Sequence, residues 1–444
     1  MRQYSYLIRS AMAGALGGLL FGFDTAVISG TTGDLTAQYN LSAAALGLTV
    51  SSALWGTVIS AMTAGVPGDR FGARETLRVA AVLYVVSAIG CALAWNWYAL
   101  IAFRFVGGLA IGCSSVLGPV YIAEMAPAKR RGAMVGLFQI NIVVGILLAY
   151  FSNFVIGTFG LGADEWRWKL GIAAVPAVFF LSMLFGIPRS PRWLVVRDKV
   201  EEAREALRRL GVEHYNEEID TIKENIEKEH HSATENVFSR RYLLPIFLAI
   251  TTGMFNQLTG INAILYYLND IFAQAGFSKM SSDLQAVVIG ATNLLFTLVA
   301  MTVIDKLGRK TLLLVGAAGT AACLGGVALI FATHQFMHAL LYLLIAYIGF
   351  FAFSQGAVIW VYLSEIFPTP VRAKGQSIGC SAHWIMNAII SGVFPALAAS
   401  SGALPFAFFG VMMVLQFVVV WKIYPETKGV SLEELEHKLA FRSG

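Results

Sequence analysis

Twelve long apolar runs follow one another along the chain, separated by shorter segments that hold most of the charged residues. A helix that crosses a membrane needs about 20 predominantly apolar residues, and each run is close to that length. The predicted spans are residues 10–30, 46–66, 77–95, 98–123, 133–155, 170–187, 242–272, 284–303, 312–332, 339–364, 375–397 and 404–421. The pattern therefore predicts an all-α membrane protein with twelve transmembrane helices.

Composition supports a membrane protein over a soluble one. Hydrophobic residues make up 57% of the 444 residues and charged residues 13%, about half the share usual in soluble domains. The net charge of +5 does not indicate a nucleic-acid partner, because the basic residues lie at the ends of spans rather than in one patch. The four cysteines lie within apolar runs without the spacing of metal ligands, so we expect free thiols and no metal or cofactor.

The basic residues also predict an orientation. They follow the second, fourth, eighth and tenth spans, whereas the loops at 153–163 and 400–403 carry few. Cytoplasmic loops are enriched in lysine and arginine, so we expect both termini in the cytoplasm and a multi-pass protein of the inner (plasma) membrane. The first apolar run is longer than a signal-peptide core, and we interpret it as a retained membrane helix.

Two polar segments are predicted to form short helices outside the membrane. Residues 199–210 have apolar side chains on one helical face and oppositely charged pairs on the other. His230 and His231 are assigned to a solvated connector. Near the C-terminus, Ser431 begins a capping-box pattern followed by an apolar stripe, which predicts a short surface helix.

A cluster of amides interrupts the seventh apolar run. Asn256, Gln257, Thr259 and Asn262 lie around Gly260, at a depth where every polar group needs a partner. Gln257 and Asn262 would lie about 140° apart on an ideal helix, but unwinding at Gly260 would bring both amides to one cavity. Amides donate to and accept from hydroxyls without adding charge, which suits a sugar. The alternative is that these amides only join neighbouring helices.

Three short signatures occur twice, at near-equal separations. The first is Gly-Asp-Arg-Phe-Gly at 68–72, which recurs as Ile-Asp-Lys-Leu-Gly at 304–308. The second is Tyr-x-x-Glu-x-x-Pro-x-x-x-Arg, which begins at 121 and again at 362. The third is a proline motif that begins at 188 and again at 425. The repeat predicts homologous six-helix halves at 1–188 and 242–424, a cytoplasmic helical linker at 189–241 and a tail at 425–444. We expect the charged motif residues to pair across the two halves when the cytoplasmic mouth is shut. They are Asp69, Arg74, Glu124, Arg131, Asp305, Arg309, Glu365 and Arg372.

The chain also contains Pro-Arg-Ser-Pro-Arg-Trp-Leu at 188–194, Gln-Leu-Thr-Gly-Ile-Asn at 257–262 and Pro-Glu-Thr-Lys-Gly at 425–429. Together with the paired signatures, these motifs make the chain resemble a sugar porter of the major facilitator superfamily. The resemblance runs nearly end to end. It implies the major facilitator fold and a sugar site lined mainly by the second half. The positions that match sugar-contacting residues of the family are Gln139, Gln257, Asn262, Asn293, Trp360 and Asn387.

Three further residues are candidates for the same site. Asn256 stands where many relatives have the first of two glutamines, and His383 and Trp384 precede Asn387 on the same helix. His383 and Asn387 share a face, so His383 would either contact sugar or satisfy a neighbouring helix. Two departures from the family pattern affect the cytoplasmic pairing network: Arg189 replaces a glutamate and Ala73 replaces an arginine.

Proton coupling is predicted at Asp24 and Arg104, which lie inside the first and fourth spans. Arginine keeps its proton in proteins, so Asp24 would be the titrating member of the pair. Aspartate followed by threonine here resembles the proton-coupled bacterial members. The alternative is a fixed ion pair that holds two helices together.

We therefore predict proton-coupled symport of a monosaccharide, with glucose or xylose favoured, by a monomer whose partners are the sugar, protons and lipid. A facilitative uniporter with the same sugar site is the nearest alternative. A non-transporting sugar sensor is more distant, since such proteins usually carry long cytoplasmic tails. A membrane aspartyl protease is disfavoured because only Asp24 lies well inside a span.

Overall fold

A computed structural model describes residues 2–126, 131–212, 214–232, 237–368 and 371–428. Within these residues all regular structure is helical. The α-helices are α1 (Arg2–Val27), α2 (Thr32–Tyr39), α3 (Ala43–Thr63), α4 (Gly65–Phe71), α5 (Ala73–Ala92), α6 (Trp97–Met125), α7 (Arg131–Gly157), α8 (Glu165–Gly171), α9 (Ala174–Phe185), α10 (Pro191–Val196), α11 (Val200–Arg209), α12 (Tyr215–Ser232), α13 (Leu243–Leu258), α14 (Ile261–Tyr266), α15 (Leu268–Gln274), α16 (Lys279–Leu307), α17 (Arg309–Thr333), α18 (Leu340–Phe353), α19 (Gln355–Glu365), α20 (Arg372–Ser400) and α21 (Leu404–Lys422). Short 3-10 turns precede α8, α13 and α18 and follow α1.

Twelve spans are found among the described residues, which confirms the predicted number. Spans 1 to 5 are formed by α1, α3, α5, α6 and α7, and span 6 by α8 with α9. Spans 7 to 12 are formed by α13 with α14, α16, α17, α18 with α19, α20 and α21. Helices prevail because a helix satisfies its own backbone hydrogen bonds where no water is available.

Two predicted spans begin five or more residues too late. Span 6 begins at Gly162 and span 8 at Lys279, whereas the apolar pattern placed their starts at residues 170 and 284. The charged residues of these first turns were left outside the predicted spans because hydropathy counts each charge separately. In the structure several of them neutralise one another and are buried.

The tenth predicted helix is also interrupted. Ser354 separates α18 from α19 with φ −119° and ψ −87°. Its hydroxyl donates to the Phe350 carbonyl at 2.5 Å. A Cβ added to Gly316 of α17 would overlap the Ser354 hydroxyl, so the glycine leaves room for the break. The interruption lies at Ser-Gln-Gly 354–356, a short polar stretch in the tenth apolar run, and packing against α17 makes room for it.

The chain forms two compact units. Unit 1 comprises Met1–Asp24, Trp55–Ile146 and Leu170–Thr234, and unit 2 comprises Thr25–Leu54, Leu147–Lys169 and Glu235–Gly444. Glycines allow close helix packing in each, because a Cβ at Gly56 in unit 1 or at Gly253 in unit 2 would overlap a carbonyl oxygen of the neighbouring helix. The units follow packing rather than chain order, and the predicted boundaries of the two halves stay a prediction.

The linker contains the predicted amphipathic helices. Buried side chains of α10, α11 and α12 form a small apolar core that includes Leu194, Leu207 and Ile219. The expectation of a connector at His230 and His231 is wrong, because α12 continues to Ser232. Isoleucines at helical spacing along α12 pack on this core and keep the segment helical. The helix predicted to begin at Ser431 lies outside the described residues.

Candidate functional site

The seventh span breaks at the amide cluster, as the glycine predicted. Helix α13 ends at Leu258 and α14 begins at Ile261, while Gly260 adopts φ +81°, a conformation that favours glycine. The Thr259 hydroxyl donates to the Asn256 carbonyl at 2.8 Å and accepts from the Ile261 amide at 3.1 Å. These bonds replace helical hydrogen bonds that the break removes. The prediction of local unwinding is confirmed.

Three amides form a continuous hydrogen-bonded series across this break. Asn262 Nδ2 donates to Gln257 Oε1 at 3.0 Å, and Gln257 Nε2 donates to Asn256 Oδ1 at 3.0 Å. Asn256 Nδ2 in turn donates to the Gln355 carbonyl at 3.4 Å, at the start of α19. Asn256 and Gln257 are buried, and Asn262 is half-buried. The break therefore places neutral donors and acceptors side by side at membrane depth.

Helix α20 contributes an imidazole and an aromatic wall to the same cluster. Gln257 Nε2 lies 3.3 Å from both ring nitrogens of His383. The His383 ring centroid lies 5.3 Å from the centroids of Trp360 and Trp384. Trp360 is 37% exposed, so its ring is accessible, whereas Trp384 is buried. An accessible indole beside amides is the combination that holds a sugar's C–H face and its hydroxyls.

Asn387 lies one turn further along α20. Its Nδ2 donates to the Tyr266 hydroxyl at 3.4 Å, and its Oδ1 accepts from the Ser391 hydroxyl at 3.1 Å. Asn293 is buried in α16 of unit 2, and Gln139 is half-buried in α7 of unit 1. Contacts within unit 2 thus link seven of the nine predicted sugar-contacting residues to α14 or its flanking break: Asn256, Gln257, Asn262, Trp360, His383, Trp384 and Asn387.

Sequence reasoning missed two buried amides beside the site. Gln355 Nε2 donates to Gln416 Oε1 at 2.9 Å, and the Gln355 carbonyl accepts from Asn256. Among the described residues, Gln355 Oε1 is buried without a hydrogen-bond partner. Both glutamines interrupt apolar runs, so the reasoning applied to Gln257 would have singled them out.

Asp24 and Arg104 form an ion pair in unit 1. Arg104 Nη2 lies 3.8 Å from Asp24 Oδ2, which is longer than a charge-assisted hydrogen bond. The Arg104 side chain is 4% exposed and that of Asp24 is 24% exposed. The carboxylate is therefore the accessible member of the pair, and the guanidinium is the buried one.

Two charged motif residues of the second half, Arg309 and Glu365, pair inside unit 2. Arg309 binds Glu365 through two hydrogen bonds of 2.8 and 3.1 Å. Glu365 Oε2 also accepts from the Thr427 hydroxyl at 2.6 Å. Arg372 Nε donates to the Phe367 carbonyl at 3.2 Å. The side chain of Asp305 lies outside the described residues.

The equivalent residues of the first half have different partners. Arg74 pairs with Glu75 and donates to the Ile187 carbonyl at 2.9 Å. Glu75 also pairs with Arg78 at 2.8 Å and with Arg189 at 3.4 Å. The role of Glu75 was not predicted. Arg74 and Arg78 are its neighbours in sequence, but Arg189 reaches it from 114 residues away.

The remaining motif residues of the first half lie around the same linker. The Asp69 carbonyl accepts from Trp193 Nε1 at 2.9 Å. Glu124 is half-buried in α6 and bonds to the Ser190 side chain. Arg131 begins α7, but its side chain lies outside the described residues. In unit 1 these motifs therefore bind the start of the linker.

Comparisons with known proteins identify the family. The model of the family "Sugar (and other) transporter" matches residues 10–439. The chain is a sugar porter of the major facilitator superfamily. Sugar porters that it resembles include the D-xylose-proton symporter of Escherichia coli K12, with 36% identity over 97% of this chain and 95% of the relative. The arabinose-proton symporter of Bacillus subtilis 168 is 37% identical over 97% of this chain and 94% of that protein.

Solved structures agree with this assignment. The inward-open structure of the xylose transporter XylE from E. coli superposes with a TM-score of 0.87 at 35% identity, covering 98% of this chain and all of that one. The predicted fold of twelve helices in two homologous halves is confirmed. The family is one of membrane transporters rather than of enzymes.

Proposed function

We propose that this sugar porter carries a monosaccharide together with a proton across the membrane by alternating access. The observation that carries the proposal is the hydrogen-bonded amide series at the broken seventh span. The relatives are named for xylose, arabinose and glucose. We therefore assign a pentose or hexose as substrate, with xylose and glucose the first to test. We assign the protein no catalytic activity and no cofactor.

The sugar binds by replacing hydrogen bonds that the amides now make with one another. Gln257 and Asn262 offer a donor and an acceptor each, and Asn387 offers the same from α20. Sugar hydroxyls can exchange with these bonds at little net cost, so binding is reversible, as a carrier requires. Trp360 supplies the aromatic face. Asn256, Gln139, Asn293, His383 and Trp384 complete the proposed site.

Asp24 is the proposed proton acceptor. Its carboxylate is the more exposed member of the pair with Arg104, and the 3.8 Å separation leaves it free to accept a proton. Protonation removes the ionic attraction to Arg104, which keeps its charge. The loss of this attraction permits the change between outward-facing and inward-facing states. The cytoplasmic gate is proposed to use Asp69, Arg74, Glu124, Arg131, Asp305, Arg309, Glu365 and Arg372.

The proposed setting is the inner membrane of a cell, with both termini in the cytoplasm. The protein acts as a monomer in lipid and binds no nucleic acid. Its two halves comprise residues 1–188 and 242–424, joined by the linker at 189–241 and followed by the tail at 425–444. The basic residues at the ends of the even-numbered spans support this topology.

Uptake into proteoliposomes tests the proposal. Labelled xylose, glucose, galactose and arabinose are supplied with and without an inward proton gradient. We expect one sugar to accumulate above its external concentration and an uncoupler to abolish this accumulation. Absence of uptake of every sugar by folded protein would overturn the proposal.

A matched pair of variants tests the site itself. Gln257→Leu removes an amide from the series, whereas Gln285→Leu makes the same change at a buried amide of α16 that bonds to Ser281. We expect Gln257→Leu to weaken sugar binding about 100-fold, because a buried site loses two hydrogen bonds. Gln285→Leu should bind as the unaltered protein does. Equal affinity in the two variants would place the sugar elsewhere.

A further inference from the structure

Five charged residues of unit 2 form a cluster near the first turns of α16, at the end of this helix opposite its basic last turn. This outer cluster consists of Asp34, Glu165, Lys169, Lys279 and Asp283. The side chain of Lys169 is 0% exposed and that of Asp283 is 1% exposed. Charges are rarely buried so completely without a structural or functional role.

Lys169 is at the centre of the outer cluster. Its Nζ lies 2.8 Å from Glu165 Oε1 and 3.3 Å from Asp283 Oδ2, and it donates to the Gly30 carbonyl at 3.2 Å. The other Asp283 oxygen accepts from Asn269 Nδ2 at 2.5 Å. The ammonium and the carboxylate therefore have several partners each, and their charges are compensated in the dry interior.

Lys279 extends the cluster toward the surface. Its Nζ lies 2.9 Å from Asp34 Oδ1 and 3.1 Å from Glu165 Oε1. Its side chain is half exposed, so these two contacts are weaker in water than those of Lys169. The buried pair between Lys169 and Asp283 is thus the part of the cluster that is most sensitive to removal of a partner.

The ion pairs join elements that come from different ends of the chain. Asp34, Glu165 and Lys169 belong to α2 and α8, whereas Lys279 and Asp283 belong to α16. Neutral contacts inside unit 2 make the same connection. The Tyr150 hydroxyl donates to the Leu265 carbonyl at 2.8 Å, and the Ser29 hydroxyl to Asn269 Oδ1 at 3.2 Å. Opening the outer end would have to break all of these contacts.

We infer that the buried pair of Lys169 and Asp283 is the latch that holds the outer end of the carrier closed. The inference rests on the proposed alternating-access function and topology. Water that enters as the outer end opens hydrates both charges, so opening does not strand either of them. Removing one partner leaves the charge of the other buried with less compensation only in the closed state, and this destabilises that state. A variant that lacks one partner therefore shifts the population toward the outward-open state.

Thiol labelling from outside measures this shift. Ser51 is buried in α3, and its hydroxyl lies 3.1 Å from the position of a Cβ on Gly392 in α20. A Ser51→Cys substitution, made after the four native cysteines are replaced by alanine, reports opening through its reaction with a membrane-impermeant maleimide. We expect Lys169→Met and Asp283→Asn each to raise the labelling rate at least tenfold.

Two controls complete the design. Arg167→Gln removes a cation from the same helix, but that cation pairs with Asp164 only three residues away at 3.3 Å, so labelling should stay at the reference rate. The double variant Lys169→Met/Asp283→Asn should label no faster than either single variant if the two residues act as one pair.

The outcomes separate the latch from the transport function, because labelling requires neither sugar nor proton gradient. Unchanged labelling in folded Lys169→Met and Asp283→Asn proteins would overturn the latch, even if sugar uptake is intact. Faster labelling in a protein that transports no sugar would support the latch and contradict the proposed function. Asp283→Asn preserves shape and decides the question if Lys169→Met fails to fold.

Discussion

Two of the regions in which the described residues bury charge differ in how closely that charge is paired. In unit 1, Arg104 approaches the Asp24 carboxylate to 3.8 Å, and that carboxylate is 24% exposed. In unit 2, the completely buried Lys169 lies within 3.3 Å of two carboxylates and a carbonyl oxygen. The first arrangement suits a group that changes its charge during a cycle. The second suits charges that stay ionised and hold elements together.

The difference follows from the energetics of buried ions. A carboxylate with a distant partner and access to water can be neutralised by one proton at modest cost. A cluster in which each ion has several close partners resists neutralisation, because every lost charge strands the others. A proton-coupling carboxylate therefore needs weak compensation of its charge, whereas a latch needs close compensation. The first region has the weak form and the second region has the close form.

The largest effect is expected from Asp24→Asn. This variant removes the titrating group while leaving the sugar site unchanged, so sugar should equilibrate across the membrane but no longer accumulate. Sugar exchange without a proton gradient should persist. The measurement is uptake into proteoliposomes with and without the gradient. Accumulation above the external concentration would show that the proton binds elsewhere.

Heat unfolding in detergent sharpens the contrast between the two regions. Lys169→Met leaves buried carboxylates uncompensated and should lower the free energy of unfolding by up to about 3 kcal/mol, since opening of the outer end can hydrate them. Asp24→Asn also leaves a buried cation, Arg104, without its carboxylate, but the pair is 3.8 Å apart and the amide oxygen at position 24 can still accept a hydrogen bond, so the loss should be smaller, about 1 kcal/mol. Similar losses in both variants would mean that the two regions do not differ in compensation.

Two glycines of the seventh span and the following loop test the amide cluster apart from both charged regions. Gly260 and Gly276 have φ of +81° and +90°. A Cβ at Gly260 would overlap the Phe409 ring, whereas a Cβ at Gly276 would meet nothing within 4 Å. Gly276→Ala should cost only the backbone strain of about 1 kcal/mol. Gly260→Ala should cost more and also weaken sugar binding. Equal effects would mean that the break does not depend on this packing.

The last prediction concerns Asp270 in α15, next to the outer cluster. Burial raises the pKa of Asp270 from 3.8 to about 6, and a hydrogen bond from Thr32 opposes this shift. The folded state thus holds this proton more tightly than the unfolded state, so the carboxyl costs nothing below about pH 4 and destabilises the fold increasingly as pH rises from about 4 to about 6.

The matched variant for that group is Asp270→Asn. Between about pH 4 and 6 the unaltered protein should lose heat stability relative to the variant, and above about pH 6 the difference should stay constant. If the two curves remain parallel, Asp270 is compensated in the way that Asp283 is, and the contrast between paired and unpaired carboxylates extends no further than the cluster.

Several features could be predicted from the sequence because they depend on local chemistry. The twelve spans follow from the length of the apolar runs, and the break of the seventh follows from Gly260 among amides. Gln257, Asn262 and Asn387 are polar residues inside apolar spans, where each polar side chain needs a hydrogen-bond partner. The same argument would have identified Gln355 and Gln416.

Other features were decided only by the tertiary structure. Lys169 and Asp283 are 114 residues apart, and each lies at a charged helix end that the apolar pattern excludes from a span. Arg189 reaches Glu75 from 114 residues away, and Ser354 separates α18 from α19 beside Gly316, through contacts between distant segments. Hydrophobic burial can be predicted from runs of neighbouring apolar residues. An ion pair between distant segments depends on which side chain the fold brings within about 4 Å.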